Sequence, residues 1–184
     1  MTLTPAAVAT LRSQFPALAQ QQEEQPVVFF DGPAGTQVPV GVLDSMRRYL
    51  VECNANKGGV FATSHASDRW MKAAHQAFAD FVGAHDAEEI VFGQNMTSLT
   101  FALARSLART WQAGDEVVVT RLDHDANIAP WVSAAQDVGA VVRYVDFEKD
   151  NALRLNMAQL ESYLGPRTRL VAFGCASNAT GGIN

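Results

Sequence analysis

The chain has 184 residues, of which 48% are hydrophobic and 18% charged, and its formal net charge is −5 at pH 7. This composition excludes a disordered chain, because enough apolar surface is present to build a core. The acidic balance argues against a nucleic-acid partner, which requires a basic surface. No apolar run approaches the roughly 20 residues of a membrane-spanning helix, so we expect no membrane partner. With only two cysteines and no secretory signal, we expect reduced thiols and a cytoplasmic protein.

The first half of the chain predicts helices joined by polar loops. Helix boundaries follow from capping residues and prolines, and the helices themselves follow from apolar residues at helical spacing. In chain order, we predict a helix from Thr4 and Pro5 to Pro16, a polar linker at 20–25, a strand at 27–30, a turn-rich loop at 31–35, a helix after Pro39 ending near Cys53, a Gly-rich loop at 54–59 and a helix from Ser67 to Val82.

From residue 89 onward, strands and helices alternate. The strands are continuous apolar runs, which is typical of strands buried on both faces of a parallel sheet. We predict strands at 89–92, 115–120, 141–145 and 169–173, and helices at 96–111, 128–138 and 157–164. The pattern predicts an α/β fold with a mainly parallel sheet flanked by helices. Residues 178–184 follow a buried strand that a further helix normally covers, so we expect the chain to be the first part of a longer protein.

Polar residues follow three of these strands, where α/β sheets bind their ligands. After Phe92, residues 93–98 open a helix whose N–H groups and hydroxyls suit a phosphate. Asn95 or Thr97 also fits an ordinary helix cap. The glycine fingerprints of nucleotide-binding loops are absent.

The second and third strand ends carry His124 and Asn178. His124 is flanked by Asp123 and Asp125, which favour a protonated imidazole, although a solvated loop histidine also fits. One histidine and two aspartates are a poor ligand set, so we expect no metal. The Asn178 amide could donate to a ligand oxygen or simply form a turn. The remaining histidines (His65, His75 and His85) are expected at the surface, and neither cysteine is expected to act as a nucleophile.

The order of these segments resembles the class V aminotransferase family of fold-type I pyridoxal-phosphate (PLP) enzymes, and is most similar to group II cysteine desulfurases and selenocysteine lyases. The block Asp123–Trp131, read as Asp-His-Asp-Ala-Asn-Ile-Ala-Pro-Trp, is its most specific part. The other matching stretches are residues 29–34, 88–92, 95–97, 168–171 and 177–178. The resemblance implies the first part of a three-layer PLP-binding large domain at 27–184, preceded by a helical arm and linker at 1–26.

The resemblance also implies roles for individual residues. His124 would stack on the cofactor ring and move protons at the substrate. Asn95, Met96 and Thr97 would hold the phosphate through backbone N–H groups and the Thr97 hydroxyl. Asn178 would hydrogen-bond the phenolic oxygen of the cofactor. The loops 31–35 and 56–59 would border the substrate entrance, the second of them near a dimer partner.

For the whole protein, the resemblance implies a homodimer that acts on a small amino acid, through chemistry in which the cofactor ring serves as an electron sink. It places the Schiff-base lysine, the ring-nitrogen acid and the nucleophilic cysteine beyond Asn184, so residues 1–184 alone are expected to be inactive. The loop 56–60 lacks the histidines found in many desulfurases of this branch. An aminotransferase or epimerase, and a non-catalytic module of the same fold, therefore stay open as alternatives.

Overall fold

A computed structural model of the chain describes residues 3–30, 32, 35–148 and 153–184. The chain forms two compact units, Met1–Val91 and Phe92–Asn184. None of the helices in the described ranges is long and apolar enough to cross a membrane. Most of the loop predicted at 31–35 lies outside the described residues.

The first unit begins with helix α1 (Pro5–Arg12), where the predicted cap is confirmed: the Thr4 hydroxyl accepts a hydrogen bond from the Ala7 N–H at 3.2 Å. A 3-10 turn follows at Pro16–Ala19. The linker predicted at 20–25 is in part a two-stranded antiparallel hairpin, β1 (Gln21–Gln22) and β2 (Gln25–Pro26). Its connecting residues adopt positive φ angles, which close a two-residue turn.

Two longer helices complete this unit, α2 (Val40–Glu52) and α3 (Ala62–Val82). Helix α3 begins five residues before the predicted Ser67 and ends at Gly83, whose φ of 73° forms a left-handed cap. The buried Ser67 hydroxyl donates to the Cys53 carbonyl at 3.1 Å. This bond joins the end of α2 to the first turns of α3.

Two predicted strands of the sequence analysis are wrong. Residues 27–30 have no regular structure, and the region of 89–92 contains a 3-10 turn, Ala87–Glu89, followed by irregular chain. Both segments are rich in residues that favour strands, yet a strand forms only when its backbone groups pair with a neighbour. Neither segment pairs with any strand in the described part of the chain. Phe30 and Val91 are 94% and 72% exposed as a result.

The second unit contains the predicted parallel sheet. Its strands are β3 (Glu116–Thr120), β4 (Val141–Val145) and β5 (Thr168–Val171), in the spatial order β4-β3-β5. Both neighbours run parallel to β3. Every residue of β3 is buried, as its run of three valines predicts. All three strands end at the same edge of the sheet, which is therefore the edge to inspect for a ligand.

Helices α4 (Met96–Ala108), α5 (Ala129–Val138) and α6 (Met157–Tyr163) accompany the sheet. Alternate residues of a strand point to opposite faces, and Val117 and Val119 point toward α4 and α5. The cluster formed there contains Ala104, Ala108, Trp111, Val117, Val119, Trp131, Ala134, Ala135 and Ala172. The prediction of an α/β fold is confirmed. The core cluster anchors the elements on either side of the candidate site.

Candidate active site

The carboxyl end of β3 turns sharply through a hydrogen-bonded loop. The Thr120 hydroxyl donates to a carboxylate oxygen of Asp123 at 2.6 Å and accepts from the backbone N–H groups of Leu122 and Asp123, at 3.3 and 3.1 Å. Threonine and aspartate three residues apart form such turns because their short side chains bond nearby backbone groups. This turn fixes where the chain leaves β3 and places His124 immediately after it.

Asp123 also binds two groups beyond its own turn. Its oxygens accept from the backbone N–H of Gly174 at 3.0 Å and from the side-chain amide of Asn127 at 3.1 Å. The other end of the Asn127 amide accepts from the indole N–H of the buried Trp131 at 3.1 Å. Because Gly174 follows β5, one carboxylate joins the ends of two neighbouring strands and is held through Asn127 to the core.

Glycine is required at position 174 by this contact. A Cβ atom there would lie 2.8 Å from an oxygen of Asp123, which is too close for an unstrained contact. The sequence prediction assigned Asp123 an electrostatic effect on His124. In the structure its two oxygens accept from Thr120, Gly174 and Asn127, so Asp123 also holds backbone and side chains in place.

His124 is exposed and precedes a 3-10 turn, Asp125–Asn127. Its Nδ1 accepts a hydrogen bond from the backbone N–H of Ala126 at 3.0 Å. With Nδ1 as acceptor, the neutral ring carries its proton on Nε2, and this assignment follows from the hydrogen bond. The imidazole is thus held at one nitrogen and accessible at the rest of the ring.

The predicted phosphate loop opens α4. The Asn95 side chain accepts from the Ser98 N–H at 2.9 Å, so Asn95 is the helix cap. Met96 and Thr97 occupy the first turn, where backbone N–H groups have no carbonyl partner within the helix, and both are exposed. Helix α4 contacts the 3-10 turn that follows His124, which brings the helix and the histidine-bearing turn together.

Asn178 lies on the exposed turn after β5. The hydroxyl of Ser177 holds this turn by accepting from the backbone N–H groups of Ala179 and Thr180, at 3.3 and 3.2 Å. A bridge between Ala176 and Ile183 closes the loop. The segment from Gly174 to Asn178 therefore starts at the contact with Asp123. It ends at Asn178, which is exposed at the surface.

The opposite end of the sheet is lined by ion pairs. Asp115 binds Arg169 at 3.0 Å, and Glu116 binds Arg143 and Arg167 at 3.0 and 3.4 Å. The Arg169 guanidinium and the backbone N–H of Gln112 donate to Asp115 and hold the pKa of its carboxyl below the ordinary 3.8. The charged groups of this end are thus paired with one another.

Sequence reasoning missed the network of Thr120, Asp123, Asn127, Trp131 and Gly174. Two local signals could have indicated part of it. One is the Thr120–Asp123 spacing of a side-chain turn, and the other is the four-residue spacing between Asn127, at the end of the 3-10 turn, and Trp131, in the first turn of α5. The bond from Gly174 to Asp123 spans 51 residues and has no local signal. Among the described residues, no group of three or more His, Cys, Asp or Glu side chains is arranged to hold a metal ion.

Comparison with known proteins decides the family. The sequence profile of the class V aminotransferases matches residues 28–184. The chain belongs to the class V aminotransferase family. This family consists of PLP-dependent enzymes, and the resemblance stated from the sequence is confirmed.

Within the class V aminotransferases, the chain is similar to proteins named as cysteine desulfurases. It is 37% identical to a cysteine desulfurase of Dickeya dadantii strain 3937, over 95% of this chain and 42% of the relative. It is 35% identical to a probable cysteine desulfurase of Mycolicibacterium paratuberculosis, over 96% of this chain and 26% of the relative. The chain therefore spans less than half the length of these relatives.

A solved structure supports the same fold. The apo structure of a cysteine desulfurase from Thermococcus onnurineus NA1 superposes with a TM-score of 0.81 at 26% identity, over 97% of this chain and 42% of the solved chain. The predicted fold class, a parallel α/β sheet of the fold-type I PLP enzymes, is confirmed by this match.

Proposed function

We propose that the protein containing this chain is a PLP-dependent cysteine desulfurase or selenocysteine lyase, and that residues 92–184 contribute the cofactor edge of its large domain. The observation that carries the proposal is the bond between Asp123 and Gly174, because it joins the segment of His124 to the segment of Asn178 at the ligand-binding edge of the sheet. The desulfurase assignment rests on the relatives, which carry that name.

The residues at the start of α4 fit a phosphate group. Asn95 caps the Ser98 N–H, and the N–H groups of Met96 and Thr97 remain for an anion at the positive end of the helix dipole. The exposed Thr97 hydroxyl adds a third donor. This set contains no carboxylate, which would repel a phosphate.

His124 and Asn178 fit the aromatic part of the cofactor. When bound, PLP supplies an electron sink that stabilises negative charge at the substrate carbon. The accessible His124 ring offers a flat surface for stacking and an Nε2 position from which a proton can be donated. The Asn178 amide offers a donor for the phenolic oxygen. A homodimer, a cytoplasmic location and a domain boundary near residue 27 belong to the same proposal.

A class V aminotransferase is the second candidate. The observation that favours it is the absence of histidine from the loop 56–60. The two reactions give different products from cysteine. A desulfurase releases alanine and, with a dithiol reductant that supplies two electrons, sulfide. An aminotransferase passes the amino group of its substrate to a keto-acid acceptor and releases the keto acid of that substrate.

The test is to supply the protein with PLP, cysteine, a dithiol and a keto-acid acceptor such as 2-oxoglutarate, and to quantify alanine, sulfide and the keto acid formed from cysteine. We expect alanine and sulfide in equal amounts. Borohydride reduction followed by peptide mapping then locates the cofactor-bound lysine, which we expect outside residues 1–184. Formation of keto acid without sulfide would contradict the desulfurase assignment and support the aminotransferase. Stoichiometric labelling of Lys57, Lys72 or Lys149 would contradict the assignment of roles.

A further inference from the structure

The side chain of Asp123 makes three hydrogen bonds at the carboxyl edge of the sheet. It accepts from a hydroxyl, a side-chain amide and a backbone N–H. None of the ion pairs among the described residues involves it. A carboxylate with no cationic partner is held here by uncharged donors, which form stronger hydrogen bonds to a charged acceptor than to a neutral one.

The three donors come from three different elements. Thr120 ends β3, Asn127 ends the 3-10 turn that follows His124, and Gly174 follows β5. Asn127 is itself fixed by the indole N–H of Trp131, whose side chain is 5% exposed. A path of hydrogen bonds therefore runs from the buried core through Asp123 to both segments that carry the proposed ring-contacting residues.

We propose that Asp123 is a positioning residue that sets His124 and Asn178 against the same cofactor ring. This inference rests on the proposed function and extends it to a residue that touches neither the cofactor nor the substrate. His124 is the next residue in the chain. Asn178 lies four residues after Gly174, in a loop held by Ser177. Gly174 is held at its N–H by Asp123 and at its carbonyl by the Asn184 amide, at 3.0 and 2.8 Å, so release from Asp123 removes the hydrogen bond that ties the start of that loop to the end of β3.

Only a carboxylate satisfies all three donors. Thr120 and Gly174 donate to one oxygen of Asp123, and Asn127 donates to the other. The NH₂ group of an asparagine at position 123 would therefore face at least one donor, and its neutral oxygen would accept more weakly from Gly174 than the carboxylate does. Asp123→Asn therefore keeps the size of the side chain and leaves at least one donor without an acceptor. Asp125→Asn is the matched control, because Asp125 is also adjacent to His124, is exposed, and makes no side-chain hydrogen bond to any described residue.

The experiment compares the wild-type protein, Asp123→Asn and Asp125→Asn, each loaded with PLP. Three quantities are measured: hydrogen–deuterium exchange at the Gly174 amide, the visible circular dichroism of the bound cofactor, and kcat and KM for cysteine. In Asp123→Asn we expect exchange at Gly174 to be about tenfold faster or more. We also expect a weakened dichroism band and a kcat lowered about tenfold at nearly unchanged KM. Asp125→Asn is expected to match the wild type.

Gly174→Ala is the second variant, for the case in which Asp123→Asn does not fold. The added methyl group would lie 2.8 Å from Asp123 and should weaken the same contact without removing a polar group.

Unchanged Gly174 exchange in a folded Asp123→Asn, or faster exchange with a wild-type dichroism band and kcat, overturns the positioning role. A wild-type protein that binds no PLP overturns the proposed function and this inference together, whereas PLP binding with unaffected variants overturns the inference alone.

Discussion

The two ends of the central strand β3 satisfy their carboxylates in different ways. At the amino end, Asp115 and Glu116 are matched by three arginines. At the carboxyl end, Arg121 pairs with Asp146 at 3.1 Å where both side chains are more than half exposed. Asp123 is matched there by neutral donors alone, and none of the ion pairs among the described residues includes it. Both arrangements compensate the negative charge of the carboxylates. Only at the carboxyl end does one side chain, Asp123, join two strand ends and a turn.

Under the proposed function, the amino end of the sheet is structural and the carboxyl end binds the cofactor. The arginines at the amino end have their charges compensated by carboxylates within the fold. The donors at the start of α4, the His124 ring and the Asn178 amide are exposed at the carboxyl end. We therefore expect a ligand with an anionic group and an aromatic ring to bind at the carboxyl end. Variants at the two ends should accordingly affect different properties.

The largest effect is expected at the carboxyl end, from His124→Ala. Loss of a group that moves protons at the substrate typically lowers turnover about 10²–10⁴-fold, and the exposed ring contributes little to the core. We expect a fall in kcat of that size with only a small decrease in the unfolding midpoint, from loss of the hydrogen bond that His124 accepts from the Ala126 N–H. His85→Ala, at another exposed histidine, is the control and should keep the wild-type rate. Near-normal turnover in His124→Ala would remove the histidine from the site.

Glu116→Gln at the amino end should affect stability and leave catalysis unchanged. The Glu116 side chain is 11% exposed, but its partners Arg143 and Arg167 are 43% and 69% exposed and remain solvated without it. Solvent screening limits the expected loss to about 1 kcal/mol in the free energy of unfolding. Urea titration measures it, with the exposed Glu161→Gln as control. A large fall in kcat/KM without a change in stability would contradict the division between the two ends.

A smaller effect, a pH-dependent difference in the free energy of unfolding, is expected from Asp115→Asn. Because Arg169 and the Gln112 N–H lower the pKa of Asp115 in the folded state, the ionised carboxylate stabilises the fold above its ordinary pKa. That contribution is lost as the pH falls through the folded-state value. Asp115→Asn should therefore be less stable than the wild type at pH 7, and the difference should shrink from about pH 5 downward. Urea midpoints across this range measure it. A constant difference at every pH would contradict the assignment.

The sequence predicted the sheet of residues 92–184 well because its strands are defined locally. The three consecutive valines of β3 predict burial on both faces, and all of them are buried. The runs at 27–30 and 89–92 have similar composition but no pairing partner among the described residues, and pairing is not encoded in a single segment. In the candidate site, too, features defined by neighbouring residues were predictable and features that need a distant partner were not. His124 and the α4 cap were predictable from neighbouring residues, whereas the Asp123–Gly174 contact joins residues far apart in the chain.

The central claim, that the carboxyl end binds the phosphate of PLP, is tested most directly by the dissociation constant of PLP in Thr97→Val. This substitution keeps the shape of the side chain and removes its hydroxyl donor. Thr110→Val, just beyond the other end of α4, and Glu116→Gln, at the amino end of the sheet, are the controls. By equilibrium dialysis we expect Thr97→Val to lose about 1–3 kcal/mol of binding free energy, and both controls to bind as the wild type does. Unchanged affinity in Thr97→Val would contradict the claim and reduce this segment to an ordinary helix cap.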